Sequence, residues 1–280
     1  MQQEIIMLSS SITSNTLSLT TQRFGEVARS AQDKTIASLS SGSRINRAAD
    51  DAAGSAIIQQ FAAQIAGNNQ AARNLNDGIS LAQTADGALS SLDENTQRLR
   101  ELTVAAGNST LSASDRAALQ AEADAISQSN NDIVQNASFN GQPLLQGNSF
   151  TLQSGPNAGD QISFSSANLG GSNGLASARG GVDLSSASAA SQSIDRLDAD
   201  LQLISEQRSN LGAIQSRLEA GVGNLQTTAI NESAAKSRIG DTDYAAATSR
   251  LAQERIRSDA ANAMQVQANA APAQVLSLLR

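Results

Sequence analysis

Toward the C-terminal third, Leu197, Ile204, Leu211, Leu218 and Leu225 recur at every seventh position. Three positions ahead of each stand Ile194, Leu201, Arg208, Gln215 and Val222. This is a heptad seam with apolar d positions throughout and two polar a positions. A continuous helix over 194–229 would be ~54 Å long at the standard rise per residue. A stripe of that length cannot be buried against its own helix, so the pattern requires partner helices.

The N-terminal half predicts two partners. Leu75, Ile79, Ala82, Ala85, Leu89, Leu92, Thr96, Leu99 and Leu102 alternate spacings of three and four, which traces one helical face, and Gly107-Asn108 ends it. Ser112-Ala-Ser-Asp115 has capping-box spacing, with Asp in place of the usual Glu or Gln. It opens a second helix whose stripe is Leu119, Ala123, Ile126, Ile133 and Ala137, stopping near Phe139-Asn-Gly141. After Pro143 the period changes to two: Phe150 and Leu152, then Ile162 and Phe164, flank Ser154–Asp160 as a hairpin with a long loop. The Ser-, Gly- and Ala-rich stretch from Gly170 to Ser193 reads as a surface connector.

Both chain ends return to helical spacing. Leu17, Phe24, Val27, Ala31 and Leu39 mark one amphipathic stretch. Near the other end, Leu251, Arg255, Ser258, Asn262 and Gln265 trace a polar face, and Ala252, Ile256, Ala260, Ala263 and Val266 an apolar one, followed by Val275–Leu279. The expectation is a second helical layer formed from the two ends. A lone amphipathic helix is marginal in water, so these stripes are expected to become ordered on meeting neighbouring molecules.

Composition narrows the kind of core. Apolar residues are 40% of the chain but aromatic ones only 2%, with no Trp and Tyr244 alone among tyrosines. Large rings are the usual source of buried area in compact cores; here Ala, Leu and Ile must provide it, which suits closely packed helices. Net charge is −7, Lys34 and Lys236 are the only lysines, and no stretch of sequence concentrates the arginines, which argues against nucleic acid as a partner. No apolar run approaches the roughly 20 residues of a membrane span. The early run Ile5-Ile6-Met7-Leu8, with no basic residue before Arg23, lacks the shape of a secretion signal.

Candidate chemistry is sparse. There is no Cys and no His. The pairs Asp50/Asp51, Asp198/Asp200 and Asp241/Asp243 lack the further ligands of a calcium loop and read as solvated or capping carboxylates. Gly170-Gly-Ser-Asn-Gly174 does not join a strand to a phosphate-binding helix. No catalytic, cofactor-binding or metal-binding residue is expected.

Long ordered motifs at both ends resemble those of bacterial flagellins. They are Leu39-Ser-Ser-Gly-Ser-Arg-Ile-Asn-Arg-Ala-Ala-Asp-Asp-Ala-Ala-Gly54, Asn74–Leu89, Gln97-Arg-Leu-Arg-Glu-Leu102 and Phe139-Asn-Gly141, then Arg208–Arg217, Ser237–Tyr244 and Val275–Arg280. The resemblance implies a mainly α fold: an elongated helical rod with coiled-coil packing, one small β-hairpin, and terminal helices paired as an inner layer. Residues 1–52 and 241–280 would form the inner coiled-coil domain. Residues 53–240 would form the outer rod, with the hairpin near 150–165 and the connector at 170–193. It also implies a non-enzymatic subunit, exported by the type III apparatus without a cleaved signal, that self-polymerises extracellularly into the filament for swimming motility.

Export chaperone, junction and cap proteins are partners implied in the same way. The expected polymerisation residues are Leu17, Phe24, Val27, Ile256, Ala260, Ala263, Val266, Leu276 and Leu279. Arg98, Leu102 and Glu122 match the family surface recognised by toll-like receptor five, with a competing role in packing between subunits. The family usually starts about four residues before the match to Ile12, whereas eleven precede it here, so Met7 is an alternative start. The rival readings are a hook–filament junction protein and a flagellin-like surface adhesin.

Overall fold

The computed structural model describes residues 14–278, with side chains through 273. The expected apolar run at 5–8 and Leu279 therefore lie outside the described residues, as does the side chain of Leu276. The helices are α1 (Thr16–Ser41), α2 (Ala52–Ala106), α3 (Ala113–Asn136), α4 (Ala187–Gly240) and α5 (Tyr244–Leu278). Between α3 and α4 lie β1 (Ser138–Phe139), β2 (Gln142–Pro143), β3 (Ser149–Gln153), β4 (Gln161–Ser165) and a short 3-10 turn, Ala176–Ala178. The chain divides into two compact units: a terminal unit of Met1–Ala62 and Ser233–Arg280, and a central unit of Ala63–Glu232. Both divisions fall inside long helices, about ten residues from the loops where sequence placed the domain limits.

In the central unit, helix α4 carries the heptad seam. Leu197, Ile204, Leu211 and Leu218 are buried, and the a positions beside them are half-buried. The polar a position Arg208 is accounted for by Asp86 of α2, whose carboxylate accepts from its Nε at 2.9 Å. On α2, Leu75, Ala82, Ala85, Leu89, Leu92, Thr96, Leu99 and Leu102 are all buried. With few rings to fill space, the helices approach closely. A Cβ at Gly78 would lie 2.2 Å from Leu152 and 3.4 Å from Leu218, and one at Gly221 would lie 2.9 Å from Leu75. Glycine on each helix thus receives leucine from the other, and the hairpin enters at the same level.

Helix α3 begins as its sequence dictates. The Ser112 hydroxyl accepts from the Asp115 N–H, and the Asp115 carboxylate accepts from the Ser112 N–H at 3.0 Å, a complete capping box. Asn140 and Gly141, both at positive φ, form the tight turn joining β1 to β2. In the hairpin, Phe150 stands opposite Phe164 and Leu152 opposite Ile162, with ring centroids of the phenylalanines 5.4 Å apart.

The connector expectation needs correction. Leu175, Ser177, Ala178, Val182, Leu184 and Ala190 are buried, and α4 already begins at Ala187. Polar side chains pin the segment. Asp200, itself buried on α4, accepts from the N–H groups of Ala176 and Ser177 at 2.9 and 2.7 Å. The Gln120 amide of α3 donates to the Val182 carbonyl and accepts from the Leu184 N–H. Composition misled here because small residues were fitting into tight space. A Cβ at Gly174 would fall 2.1 Å from the Leu169 carbonyl oxygen, which is backbone and cannot swing aside.

In the terminal unit, α1 and α5 run antiparallel along a seam of small and polar residues. Ser18, Thr21, Gly25, Ala28, Gln32 and Thr35 on α1 are half-buried, as are Leu251, Glu254, Ala261 and Gln265 on α5, with Ser258 and Ala268 buried. Across the seam, Thr21 Oγ1 donates to Gln265 Oε1 at 2.6 Å, Gln265 Nε2 donates to Ser18 Oγ at 2.6 Å, and Ser18 Oγ donates to Asn269 Oδ1 at 2.8 Å. Pro272 lies inside α5 and supplies no N–H to the Ala268 carbonyl one turn back. Asn15 replaces that donor: its Nδ2 reaches the Ala268 oxygen at 2.7 Å, while its Oδ1 accepts from the Ser18 N–H and caps α1. Beyond the seam, Arg44 N–H donates to the Gly240 carbonyl and Thr242 N–H to the Gly42 carbonyl, tying the two inter-helix segments together.

Gly174→Ala should lower stability by about 2 kcal/mol through overpacking, read as a shift in the urea midpoint of the monomer; an unchanged midpoint would mean the segment is loose. Asn15→Asp keeps the helix cap but loses the donor, so amide exchange around Ala268–Pro272 should accelerate, consistent with loss of a bond worth about 1 kcal/mol, while Ser18 protection persists. Hydrogen bonds from the Ser112 hydroxyl, then its backbone N–H, hold the Asp115 carboxyl below its ordinary value of 3.8. The cap's contribution is complete above that ordinary value and is lost as pH falls through the lower folded value. An NMR titration placing Asp115 at or above 3.8 would contradict the capping box.

Candidate assembly surface

Two helices paired through their polar faces must turn other faces outward. On α1, Leu17, Phe24 and Val27 are 52%, 67% and 68% exposed; on α5, Ile256 and Val266 are 69% and 71% exposed. Ala260 and Ala263 are exposed between them. Sequence anticipated that the ends would pair, and that reading assigned the faces of α5 correctly as polar and apolar. The structure pairs α1 with the polar one: Leu251, Ser258 and Gln265 lie in the seam, and Ile256, Ala260, Ala263 and Val266 point away from it. Of the five α1 residues, Ala31 and Leu39 turn inward and the other three outward. Exposed apolar residues grouped on a helix pair mark an interaction surface.

The Arg98 group differs in kind. Arg98 Nη2 and Nε donate to Glu122 Oε1 at 2.8 and 3.2 Å, and Nη1 donates to Glu101 Oε2 at 3.0 Å. Hydrogen bonds donated to Glu122 and then to Glu101 hold the guanidinium above its ordinary pKa. Leu102 does not belong to this surface. It is only 4% exposed, packed with Leu99, Ala123 and Leu197 in the core beneath. Arg98 and Glu122 are accessible and Leu102 is not, a correction to the surface expected from sequence.

The carboxylate pairs serve local structure. Asp50 accepts from the N–H groups of Asn46 and Arg47, Asp51 from that of Gly54, and Asp243 from those of Ala245 and Ala246 at the start of α5. Asp198 pairs with Arg100 at 2.6 Å. Among the described residues no three acidic groups gather as a metal site, and no helix is long and apolar enough to cross a membrane. Sequence reasoning missed Asn15, whose role is visible only once α1 lies against Pro272. It also missed the inward position of Asp200, although Ser193, Leu197, Asp200 and Ile204 have the spacing of one buried face.

Residues 12–149 match the bacterial flagellin N-terminal helical region, and residues 194–279 match the bacterial flagellin C-terminal helical region. The chain is 42% identical to the flagellin of Halalkalibacterium halodurans over 249 residues, which covers 88% of this chain and 91% of that protein. It is 39% identical to the flagellin of Bacillus subtilis over 284 residues, 90% of this chain and 93% of that protein. The crystal structure of Bacillus cereus flagellin matches 59% of this chain and 94% of that chain, at 27% identity and a TM-score of 0.49. With flagellin helical regions matched at both ends of the chain and 39–42% identity to these two flagellins over most of its length, the chain belongs to the bacterial flagellin family and is a structural, non-enzymatic subunit of the flagellar filament.

Proposed function

We propose that this flagellin enters the filament by burying the outward stripes of α1 and α5 against neighbouring copies. Leu17, Phe24 and Val27 would be covered on one helix and Ile256, Ala260, Ala263 and Val266 on the other. The observation that supports this is the exposure of five large apolar side chains on a helix pair whose mutual seam is polar. Water around each is released on contact, worth about 2 kcal/mol for a fully buried Val or Ile. Contacts between unlike surfaces on successive copies generate an open helical polymer.

The subunit reaches its extracellular place through the type III export path without a cleaved signal, as its family membership suggests. Chaperone, junction and cap proteins are its transient partners there. Domain limits follow the same logic: residues 1–52 and 241–280 supply the inner layer and 53–240 the outer rod. Any recognition by toll-like receptor five rests on Arg98 with Glu122, and Leu102 contributes by supporting the helix from below.

Replacing Val27, Ile256 and Val266 together by Gln should leave the helical circular dichroism of the monomer unchanged and abolish seeded growth, with the critical concentration rising by at least about a hundredfold. Growth at the wild-type critical concentration would show that the stripes are not the assembly surface.

A further inference from the structure

Charge is divided unequally between the two units. Residues 1–62 and 233–280 hold eleven Arg and Lys against nine Asp and Glu, a net +2. Residues 63–232 hold eight against seventeen, a net −9. No stretch of sequence concentrates the cations, yet folding does. Lys34, Arg44, Arg238 and Arg250 line one cleft of about 500 Å³ between the ends of α1 and α5. Lys34, Arg44 and Arg47 also line an adjoining hollow of about 560 Å³.

Of the acids in these hollows, all but Asp33 are engaged close to home. Asp243 caps α5, Asp50 holds the N–H groups of Asn46 and Arg47, and Asp241 accepts from Ser237. Lys34, Arg47, Arg238 and Arg250 have no ion pair among the described residues, and Arg44 is held only through the Ile239 carbonyl. On the central unit, by contrast, the carboxylates of Asp77, Glu94, Asp132, Glu206 and Glu219 have neither an ion pair nor a hydrogen bond among the described residues. Unpaired cations gathered in a cleft and unpaired carboxylates spread on helices are complementary surfaces on one kind of molecule.

We propose that the basic cleft of the terminal unit receives carboxylates from the central unit of a second copy of this chain. The proposal rests on the assembly reading above and adds a contact that sets register between copies. Apolar stripes slide with little cost, whereas opposed charges a few ångströms apart fix one alignment. Such pairs act within about 8 Å at physiological salt, so they order subunits already brought together by the stripes.

Lysine makes the contact traceable. Lys34 and Lys236 are the chain's only lysines, so carbodiimide coupling has few amines to report on. The reagent activates a carboxylate, the Lys34 amine attacks its carbonyl carbon, an amide forms, and the carbodiimide leaves as a urea carrying the elements of water. In filaments grown from equal amounts of 14N and 15N protein, mass spectrometry should find mixed-isotope peptides joining Lys34 to central-unit carboxylates, absent from dilute monomer. Filaments in which Lys34 couples only within its own chain, or not at all, would overturn the proposal.

A second measurement uses K34Q/R238Q/R250Q, which touches neither stripe nor seam. Its critical concentration should exceed wild type roughly tenfold at low salt, as expected for loss of several modest ion pairs, with the difference vanishing at high salt. Equal assembly at low salt would count against the cleft. Failure of the stripes themselves would look different, since growth would then be indifferent to the Val27, Ile256 and Val266 replacements at every salt concentration.

Discussion

The seam between α1 and α5 is closed by hydroxyls, amides and small side chains, and the rest of the terminal unit follows from that choice. A helix presents one face to its partner, and hydrogen bonds such as Thr21 to Gln265 reward only a defined alignment. Small residues meet along the seam at ordinary contact distance, Ala261 lying 3.8 Å from where a Cβ on Gly25 would sit, and apart from the half-buried Leu39 and Leu251 the large apolar residues have no place in it. They are left outside, at 67% to 71% exposure for Phe24, Val27, Ile256 and Val266. In an isolated globular protein this would be a liability. In a subunit that assembles with copies of itself, such a face is available to be covered by a neighbour.

The central unit solves the opposite problem with the same vocabulary. Its stripes face inward, and aromatic scarcity is offset by close approach, as where Gly78 admits Leu152 and Leu218. Three polar groups inside it find specific partners: Asp200 two N–H groups, Arg208 the Asp86 carboxylate, and Gln120 the Val182 carbonyl and Leu184 N–H of the connector. Each fixes a loop or a register that apolar contacts alone would leave free.

Much of this was legible in residue order. Period, caps and turns are local: the seam from Leu197 to Leu218, the Ser112 box and the hairpin register each follow from neighbours a few positions apart. What sequence could not supply was which face of an amphipathic helix meets which partner. For α5 the apolar face was correctly traced, but its pairing within the chain uses the other side. The connector failed for a related reason, because Gly and Ser signal slack and tight fit alike until the surroundings are known. Leu102 was misplaced by analogy, which assigns a position a role without saying what covers it. The basic cleft arises from residues some two hundred positions apart, beyond any window of sequence.

The placement of lysine has a practical side. Between Lys34 and Lys236 the chain has no primary amine at all, so fluorophores and fixatives that react with amines leave residues 35–235 untouched. Dyes attached this way decorate the terminal unit, which carries the exposed stripes of α1 and α5, and the side chains of the central unit stay unlabelled. With the stripes holding copies together as proposed, imaging of live polymers would perturb cohesion before it perturbed appearance, and a thiol introduced on the exposed side of α3 would be the gentler handle.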